Sequence, residues 1–310
     1  MEHRGLGRTG IEVSRLILGC GNFGGIGSSP AFFGQGETED QAGALMDAAW
    51  EAGITTFDTA DAYGGGRSET FIGNWLRSRG VRPTLTTKTF NPMEEGADGG
   101  LSEARIRRQI DTSLERLGVD RVELYLSHAM DPATPVQETA EAFDRLRREG
   151  RLGAWGGSNV GAAWVEEARP AWVQNSYSLL DREDEADVLP VCARDGLGYT
   201  PFSPLAGGWL TGKYRRDEEP PAGSRMTFRP EPYEHLRDDR TYDSLDAFKA
   251  LAAERETTPA TLALAWLLAQ PHVTAIVLGA RRPEQLRPAL DALKLQLSQE
   301  EADMVAAVFE

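Results

Sequence analysis

The sequence has little of several features that would place it in a specialised class of protein. Its 310 residues include only two cysteines, Cys20 and Cys192, which lie far apart and form no disulfide framework, as fits a reducing compartment. The four histidines have no metal-ligand spacing, so no catalytic metal is expected. The longest apolar run, Ala260 to Ala269, is far shorter than a membrane span, and the first residues contain no apolar signal-peptide core. These absences predict a cytoplasmic protein.

Positive charge is also scarce. The chain has 33 basic and 48 acidic residues, which gives a formal net charge of −15. Such a chain repels nucleic-acid backbones and anionic lipids, so we expect neither nucleic-acid nor membrane partners, although a local basic pocket for one phosphate remains compatible. With 40% hydrophobic residues the chain is not disordered, and its length allows one large barrel or two smaller domains.

Eight short aliphatic or β-branched runs alternate with longer amphipathic runs along the whole chain. Several strand runs are largely apolar, as is typical of parallel strands covered on both faces. Five of the predicted helices end on a glycine: Gly53, Gly80, Gly118, Gly150 and Gly196. The pattern predicts an α/β protein, a (β/α)8 TIM barrel formed by residues 1–310 as a single domain. A doubly wound sheet is the alternative, because counting units cannot show that the sheet closes.

Two segments lie outside the repeating units. The first residues predict a small hairpin around Arg8-Thr9-Gly10, placed to cap the bottom of the barrel. A long irregular stretch, residues 215–239, follows the seventh predicted strand and is rich in proline, arginine and acidic residues. Since loops after barrel strands carry function, this long loop is predicted to be a mobile lid.

Two glycine-rich motifs resemble nucleotide-binding loops but lack the required context. Residues 19–24 fit GxGxxG after a strand, yet the next predicted helix starts only near Glu37, so its N-terminus would not face a pyrophosphate. Residues 207–213 approach a P-loop, but Tyr214 replaces the magnesium-binding Ser or Thr and no helix follows. We therefore expect neither a Rossmann fold nor a P-loop.

Four ionisable residues are predicted to converge at one end of the barrel. Asp58, Lys88 and His128 end the second, third and fourth predicted strands, and Tyr63 lies on the loop above the second. The carboxyl ends of barrel strands form the active-site face. Taken singly, Asp58 could be a helix-capping carboxylate, Tyr63 a surface aromatic and His128 a hydrogen-bonded core residue. A lysine in an apolar strand is more unusual, because a buried ammonium is costly unless it is paired.

Together the four residues have a coherent chemistry. An ammonium group lowers the pKa of an adjacent tyrosine, a carboxylate fixes the lysine, and a neutral histidine can donate to a carbonyl oxygen. This set makes a general acid and an electrophilic clamp at a carbonyl group, suited to its reduction by hydride. No side chain supplies hydride, so a nicotinamide cofactor is required. An aldolase that uses Lys88 as a Schiff-base nucleophile is an alternative.

The segments that carry these residues resemble the aldo-keto reductase superfamily. FDTADAYGGGRSE, LTTKT and ELYLSH match its Asp, Tyr, Lys and His signatures, and the match continues through VQNSYSLLDRE, PFSPLAGGWLTGKY and LGARRPEQL. The resemblance implies a (β/α)8 barrel that binds NADPH (NADP+), or less often NADH, and reduces a small carbonyl substrate. Tyr63 resembles the general acid, Lys88 its pKa-lowering partner, Asp58 the anchor of the lysine, and His128 the residue that orients the carbonyl.

The resemblance also implies a set of cofactor-binding residues. Near the nicotinamide they are Gly21, Asn22, Ser158, Asn159, Gln174 and Phe202; along the pyrophosphate Ser203, Leu205, Gly207 and Lys213; and around the adenosine phosphate Gly279, Arg281, Arg282 and Gln285. From the residues alone, Gln174 could instead be a satisfied core amide, and the two arginines could be solvated charges.

Three departures from the family pattern stand out. Pro288 and Ala289 occupy the usual place of the Glu-Asn pair that contacts adenine, and Gly157 replaces a common valine. Ala129 and Met130 make one wall of the site smaller and less polar. Some relatives of this barrel are nucleotide-sensing regulatory subunits, and that function is the third hypothesis, after the reductase and the aldolase. The sequence does not identify the substrate or the oligomeric state.

Overall fold

The N-terminal hairpin consists of strands β1 (His3–Gly5) and β2 (Glu12–Ser14), which pair antiparallel. Leu6 and Val13 are fully buried and belong to the same cluster as Leu124 and Trp172 of the barrel interior. The hairpin therefore closes the bottom of the barrel, as the sequence predicted. The computed structural model describes all 310 residues.

Eight parallel strands form one sheet in which each barrel strand from the first to the seventh pairs with its neighbour along the chain. They are β3 (Leu16–Gly19), β4 (Thr56–Asp58), β5 (Thr84–Thr89), β6 (Val122–Ser127), β7 (Leu152–Ser158), β8 (Trp172–Gln174), β9 (Gly198–Tyr199) and β10 (Ile276–Leu278), with β10 also pairing with β3. The amides of Thr274 and Val277 donate to the carbonyls of Tyr199 and Pro201 at 2.8 and 2.9 Å. These bonds join β9 to β10, so the sheet closes. The (β/α)8 prediction is confirmed, and the doubly wound alternative is wrong.

Helices cover the outside of the sheet: α1 (Glu39–Glu51), α2 (Arg67–Arg79), α3 (Glu103–Leu117), α4 (Val136–Arg148), α5 (Ala162–Ala168), α6 (Val188–Asp195), α7 (Arg225–Phe228), α8 (Asp239–Glu254), α9 (Pro259–Ala269), α10 (Arg287–Ala292) and α11 (Gln299–Ala306). The five glycines predicted to end helices all have positive φ, between 65° and 82°. A core of 63 buried residues fills the space between sheet and helices. None of the helices combines the length and apolarity needed to cross a membrane.

The long loop after β9, the seventh barrel strand, is present but contains short helical turns. Within residues 215–239 the loop includes α7 and a 3-10 turn at Glu231–Leu236, and Met226 and Leu236 are buried; another 3-10 turn, Ala206–Thr211, precedes these residues. The C-terminal helix α11 was not predicted. It begins at a capping box, in which Ser298 and Glu301 satisfy each other's backbone amides. That Ser-x-x-Glu spacing is visible in the sequence and could have indicated the helix.

Candidate active site

The chemical centre of the site is a buried ion pair between neighbouring strands. Lys88, near the end of β5, is 1% exposed, and its Nζ donates to Asp58 Oδ1 and, at 2.9 Å, to the carbonyl oxygen of Thr59. The other carboxylate oxygen of Asp58 accepts from Gln174 Nε2 at 2.8 Å. Burial by itself lowers the pKa of Lys88, but Asp58 and Tyr63 raise it more, so its net pKa lies above the ordinary value. Lys88 is therefore held as a cation.

Tyr63 lies above this pair, in the turn that follows β4. Its hydroxyl is 3.4 Å from Lys88 Nζ and 3.3 Å from His128 Nε2. Gly21 lies beside the tyrosine ring, such that a Cβ at that position would be 3.6 Å from Cε2 and Cζ. The tyrosine oxygen is thus within reach of two nitrogen groups, while the glycine-rich loop after β3 contacts its ring.

His128 follows the last residue of β6 and is fixed from several sides. The amide of His128 donates to the carbonyl of Thr89 at 2.9 Å, and the carbonyl oxygen of His128 accepts from Asn159 Nδ2 at 2.8 Å. Asn91 Nδ2 lies 3.1 Å from its ring Nδ1. Burial and the charge of Lys88 lower its pKa well below the ordinary value, so the ring is neutral near pH 7. A neutral imidazole is the form that the sequence analysis required.

The pKa of Tyr63 shows two opposed effects. Burial raises it, and Lys88 lowers it, as the sequence led us to expect, but burial is the larger effect. The net pKa therefore lies above the ordinary value of about 10. Tyr63 is consequently a protonated phenol at neutral pH, next to an ammonium that would stabilise the phenolate once its proton has left.

The loop after β9 forms a second part of the candidate site. Ser203 and Ala206 have positive φ, of 54° and 46°, in non-glycine residues, which is a strained conformation typical of functional sites. Ser203 Oγ lies 3.0 Å from the hydroxyl of Tyr233, and a Cβ on Gly207 would collide with that ring at 2.5 Å. Leu205 and Phe202 are half-buried nearby, and the exposed Lys213 lies over the ring of Tyr214.

The segment after β10 places Arg281 against the start of α1. Arg281 Nε donates to Glu37, which is 5% exposed, and its guanidinium lies over the ring of Phe228. The side-chain oxygen of Gln285 accepts from the backbone amides of Arg281 and Arg282 at 2.8 and 3.2 Å. Those amides are therefore occupied.

Arg225, on α7 in the long loop, was missed by the sequence analysis. Burial is the largest effect on the pKa of Arg225 and lowers it. Tyr233 raises this pKa, and the nearby cations Arg229 and Arg281 lower it further. It pairs with no carboxylate. Arg225, Arg229 and Arg281 therefore form a local concentration of positive charge in a protein whose net charge is negative. No sequence signal distinguishes this arginine from the other charges of the loop.

Comparison with known proteins agrees with this geometry. The model of the "Aldo/keto reductase family" matches residues 15–310. The chain belongs to the aldo/keto reductase family.

Three curated relatives cover nearly the whole chain. It is 38% identical to the "Uncharacterized oxidoreductase YrpG" of Bacillus subtilis, covering 100% of this chain and 96% of that protein. It is 34% identical to a "Probable voltage-gated potassium channel subunit beta" of Oryza sativa (99% and 96%) and 32% identical to an "NADH-specific methylglyoxal reductase" of Escherichia coli (98% and 97%). Among solved structures, the glycerol dehydrogenase AKR11B4 of Gluconobacter oxydans matches with a TM-score of 0.82 and 27% identity, covering 96% and 92% of the two chains.

The structure brings the four predicted catalytic residues of this aldo/keto reductase into one connected set, with Gln174 joined through Asp58 and Asn159 through His128. Ser158 is buried and lies 3.2 Å from Asn159. The residues predicted to lie around the adenosine phosphate do not form one connected set in the same way. Arg282 is 70% exposed and pairs with Glu284, so it is a surface charge here.

Two of the departures from the family pattern have a structural cause. A Cβ on Gly157 would lie 2.5 Å from the ring of Trp164, so the valine common at this position cannot fit. Pro288 and Ala289 lie in α10, where Ala289 is buried in the main core. Ala289 therefore serves packing rather than contact with an adenine.

Proposed function

We propose that this protein is an NADPH-dependent carbonyl reductase, which converts an aldehyde or ketone to the alcohol with Tyr63 as the general acid. The observation that carries the proposal is the tyrosine hydroxyl, placed within 3.3 to 3.4 Å of both Lys88 Nζ and His128 Nε2. A phenol becomes a usable acid when nearby donors stabilise the phenolate that it leaves behind.

Each residue has a separate task in this reaction. A reduced nicotinamide supplies the hydride when it is bound. The substrate oxygen lies near Tyr63 and His128, where it accepts the proton of Tyr63 as negative charge develops on it. Lys88 then stabilises the phenolate, and Asp58 keeps Lys88 charged and in place. Gln174 satisfies the remaining oxygen of Asp58 and so keeps that carboxylate from turning toward Tyr63.

The residues that would hold the cofactor fit a phosphate-bearing nucleotide. The guanidinium groups of Arg225 and Arg281 lie close enough to influence each other, and Arg225 has no carboxylate partner. The strained loop at Ser203–Gly208 contacts Tyr233, which in turn acts on the charge of Arg225. One relative is named an NADH-specific reductase, so membership of the family does not choose the cofactor. The local excess of arginine favours NADPH.

The Schiff-base alternative conflicts with the state of Lys88. A nucleophilic amine must be neutral, whereas the pKa of Lys88 is raised by Asp58 and Tyr63 against the effect of burial. The experiment that tests the proposed function is a screen of aldehydes, ketosteroids, quinones and sugar ketones that follows the absorbance of NADPH. Turnover of one class is expected. Cofactor binding without any turnover would instead support a nucleotide-sensing regulatory subunit.

Arg281 gives a prediction about cofactor choice. Arg281→Ala should weaken NADPH binding about 10- to 100-fold, because a hydrogen bond to a charged group is worth about 1.5–3 kcal/mol, while NADH binding changes little. Calorimetric titration of both cofactors measures this, and the difference should grow at low salt. Arg282→Ala is the matched control and should affect neither cofactor, because Arg282 is exposed and paired with Glu284. Equal losses for the two cofactors in Arg281→Ala would show that Arg281 does not contact the phosphate.

Glu37 gives a second prediction at the same place. Its carboxylate neutralises part of the charge of Arg281, and one of its buried oxygens, Oε2, has no partner. Glu37→Gln keeps a side-chain oxygen for Arg281 but removes the negative charge, so NADPH should bind about 3- to 10-fold more tightly and NADH about as before. The same titration checks it. Weaker NADPH binding in Glu37→Gln would mean that the full charge is needed to hold Arg281 in place.

A further inference from the structure

Asn91 contacts the one ring nitrogen of His128 that faces away from Tyr63. The amide nitrogen of Asn91 is 3.1 Å from Nδ1, whereas Nε2 lies 3.3 Å from the tyrosine hydroxyl. An amide nitrogen can only donate, so Nδ1 must accept. A neutral imidazole has one donor and one acceptor, which puts the ring proton on Nε2.

Resting on the proposed function, we propose that Asn91 is a positioning residue that fixes His128 in the Nε2–H tautomer and so keeps the proton of Tyr63 available to the substrate. In this tautomer Nε2 donates to the oxygen of Tyr63, as Lys88 Nζ does from 3.4 Å. Both contacts then favour the phenolate, and the hydroxyl proton is directed to neither of them. In the other tautomer Nε2 would accept a hydrogen bond from the tyrosine hydroxyl, which would direct the hydroxyl proton away from the substrate.

Asn91 is itself held in place by a buried guanidinium. Arg105, on α3, is 2% exposed, and its Nη2 donates to the carbonyl oxygen of Asn91 at 2.7 Å. Its Nη1 donates to Thr89 Oγ1 at 2.7 Å and to the carbonyl of Gly100 at 3.2 Å. Arg105 forms no ion pair; its bonds go to the loop that carries Asn91, and to the end of β5. The carbonyl oxygen of Thr89, at the same end of β5, accepts from the amide of His128. Asn91 and His128, the two residues of the 3.1 Å contact, are therefore both connected to this strand end.

The direct test is the protonation state of the ring nitrogens. Long-range 1H–15N spectra of histidine-labelled protein, with His128 assigned by comparison with His128→Asn, should show Nε2 protonated and Nδ1 unprotonated at pH 7. Asn91→Asp places an acceptor at Nδ1 and should move the proton to Nδ1. Asn91→Leu offers neither donor nor acceptor and should give a mixture of tautomers. A wild-type ring with its proton on Nδ1, or an unchanged ring in Asn91→Asp, would overturn the proposal.

The pH dependence of activity in Asn91→Asp distinguishes this positioning role from a purely structural one. The new carboxylate raises the pKa of His128, so in Asn91→Asp the imidazolium still carries Nε2–H at low pH and loses it as the pH rises. For Asn91→Asp, kcat/KM should therefore fall at least tenfold as the pH rises through that pKa, with the Kd for NADPH unchanged. The wild type should show no such step, because its His128 is already neutral. A pH-independent loss in Asn91→Asp would contradict the proposal.

Together, the spectra and the activity measurements separate failure of this proposal from failure of the proposed function. If the wild type turns over no carbonyl compound, the proposed function fails, while the spectra still determine whether Asn91 fixes the tautomer. If the wild type is active and its ring carries the proton on Nδ1, only the role of Asn91 fails. Melting temperatures of Asn91→Asp and Asn91→Leu within a few degrees of the wild type are required for either comparison.

Discussion

Tyr63→Phe should lose turnover by about 10²- to 10⁴-fold, the usual contribution of a positioned general acid, with cofactor affinity nearly unchanged. The substitution removes one hydroxyl and keeps the ring that packs beside Gly21. It leaves Lys88 paired with Asp58 and leaves the arginines of the long loop untouched. The loss should appear equally in kcat and kcat/KM, because the proton is needed only in the transition state. Stopped-flow measurement of NADPH oxidation and a separate titration of NADPH check both parts.

Tyr242→Phe is a suitable control for Tyr63→Phe. Tyr242 lies on α8, where its ring contacts Trp209 and Arg216, away from the ion pair. Turnover of Tyr242→Phe should stay within about twofold of the wild type. If Tyr63→Phe kept near-normal turnover, another group would have to supply the proton, and the assignment of Tyr63 as the acid would be wrong.

Lys88→Met should reduce both turnover and stability. The side chain is buried beside Asp58, and removing the ammonium leaves a buried carboxylate with only Gln174 and no counter-charge. Breaking such a pair from one side typically costs about 3–5 kcal/mol. Turnover should fall as well, because the phenolate of Tyr63 then loses the adjacent ammonium and keeps only the contact with His128. Thermal melting and initial rates measure the two effects.

A double variant separates the two effects of Lys88. Asp58→Asn combined with Lys88→Met removes both charges, so it should recover much of the melting temperature while remaining as inactive as Lys88→Met alone. Lys249→Met, on the exposed side of α8, is the surface control and should change neither quantity by a measurable amount. Normal stability and normal rates in Lys88→Met would show that the lysine is irrelevant to the site.

The barrel and the grouping of the four candidate catalytic residues were predictable because each depends on a local signal. Strand ends locate Asp58, Lys88 and His128, and parallel strands carry their carboxyl ends to one face whatever the details of packing. Leu124 and Leu126, which lie four and two residues before His128, belong to the buried cluster inside the barrel, and Lys88 is opposite Leu126 in the sheet. These conclusions needed no long-range contact.

The parts that could not be predicted all depend on contacts between distant segments. The pairing of Arg281 with Glu37 joins residues 244 positions apart, and the burial of Arg225 depends on how the long loop folds back. The net pKa of Tyr63 depends on the balance between burial, which raises it, and Lys88, which lowers it. The sequence indicated only the effect of Lys88. Asn91 was overlooked because nothing in TKTFNP indicates that its side chain turns toward His128.

The measurement that tests the central claim most directly is transfer of a labelled hydride. NADPH carrying deuterium at the transferring position is mixed in excess over the enzyme with a carbonyl compound that the screen identifies, and the alcohol is analysed by mass spectrometry. We expect one deuterium on the former carbonyl carbon for each NADPH oxidised, and almost no product with Tyr63→Phe. Alcohol without deuterium, or NADPH that binds and is never oxidised with any carbonyl class, would contradict the assignment as a carbonyl reductase.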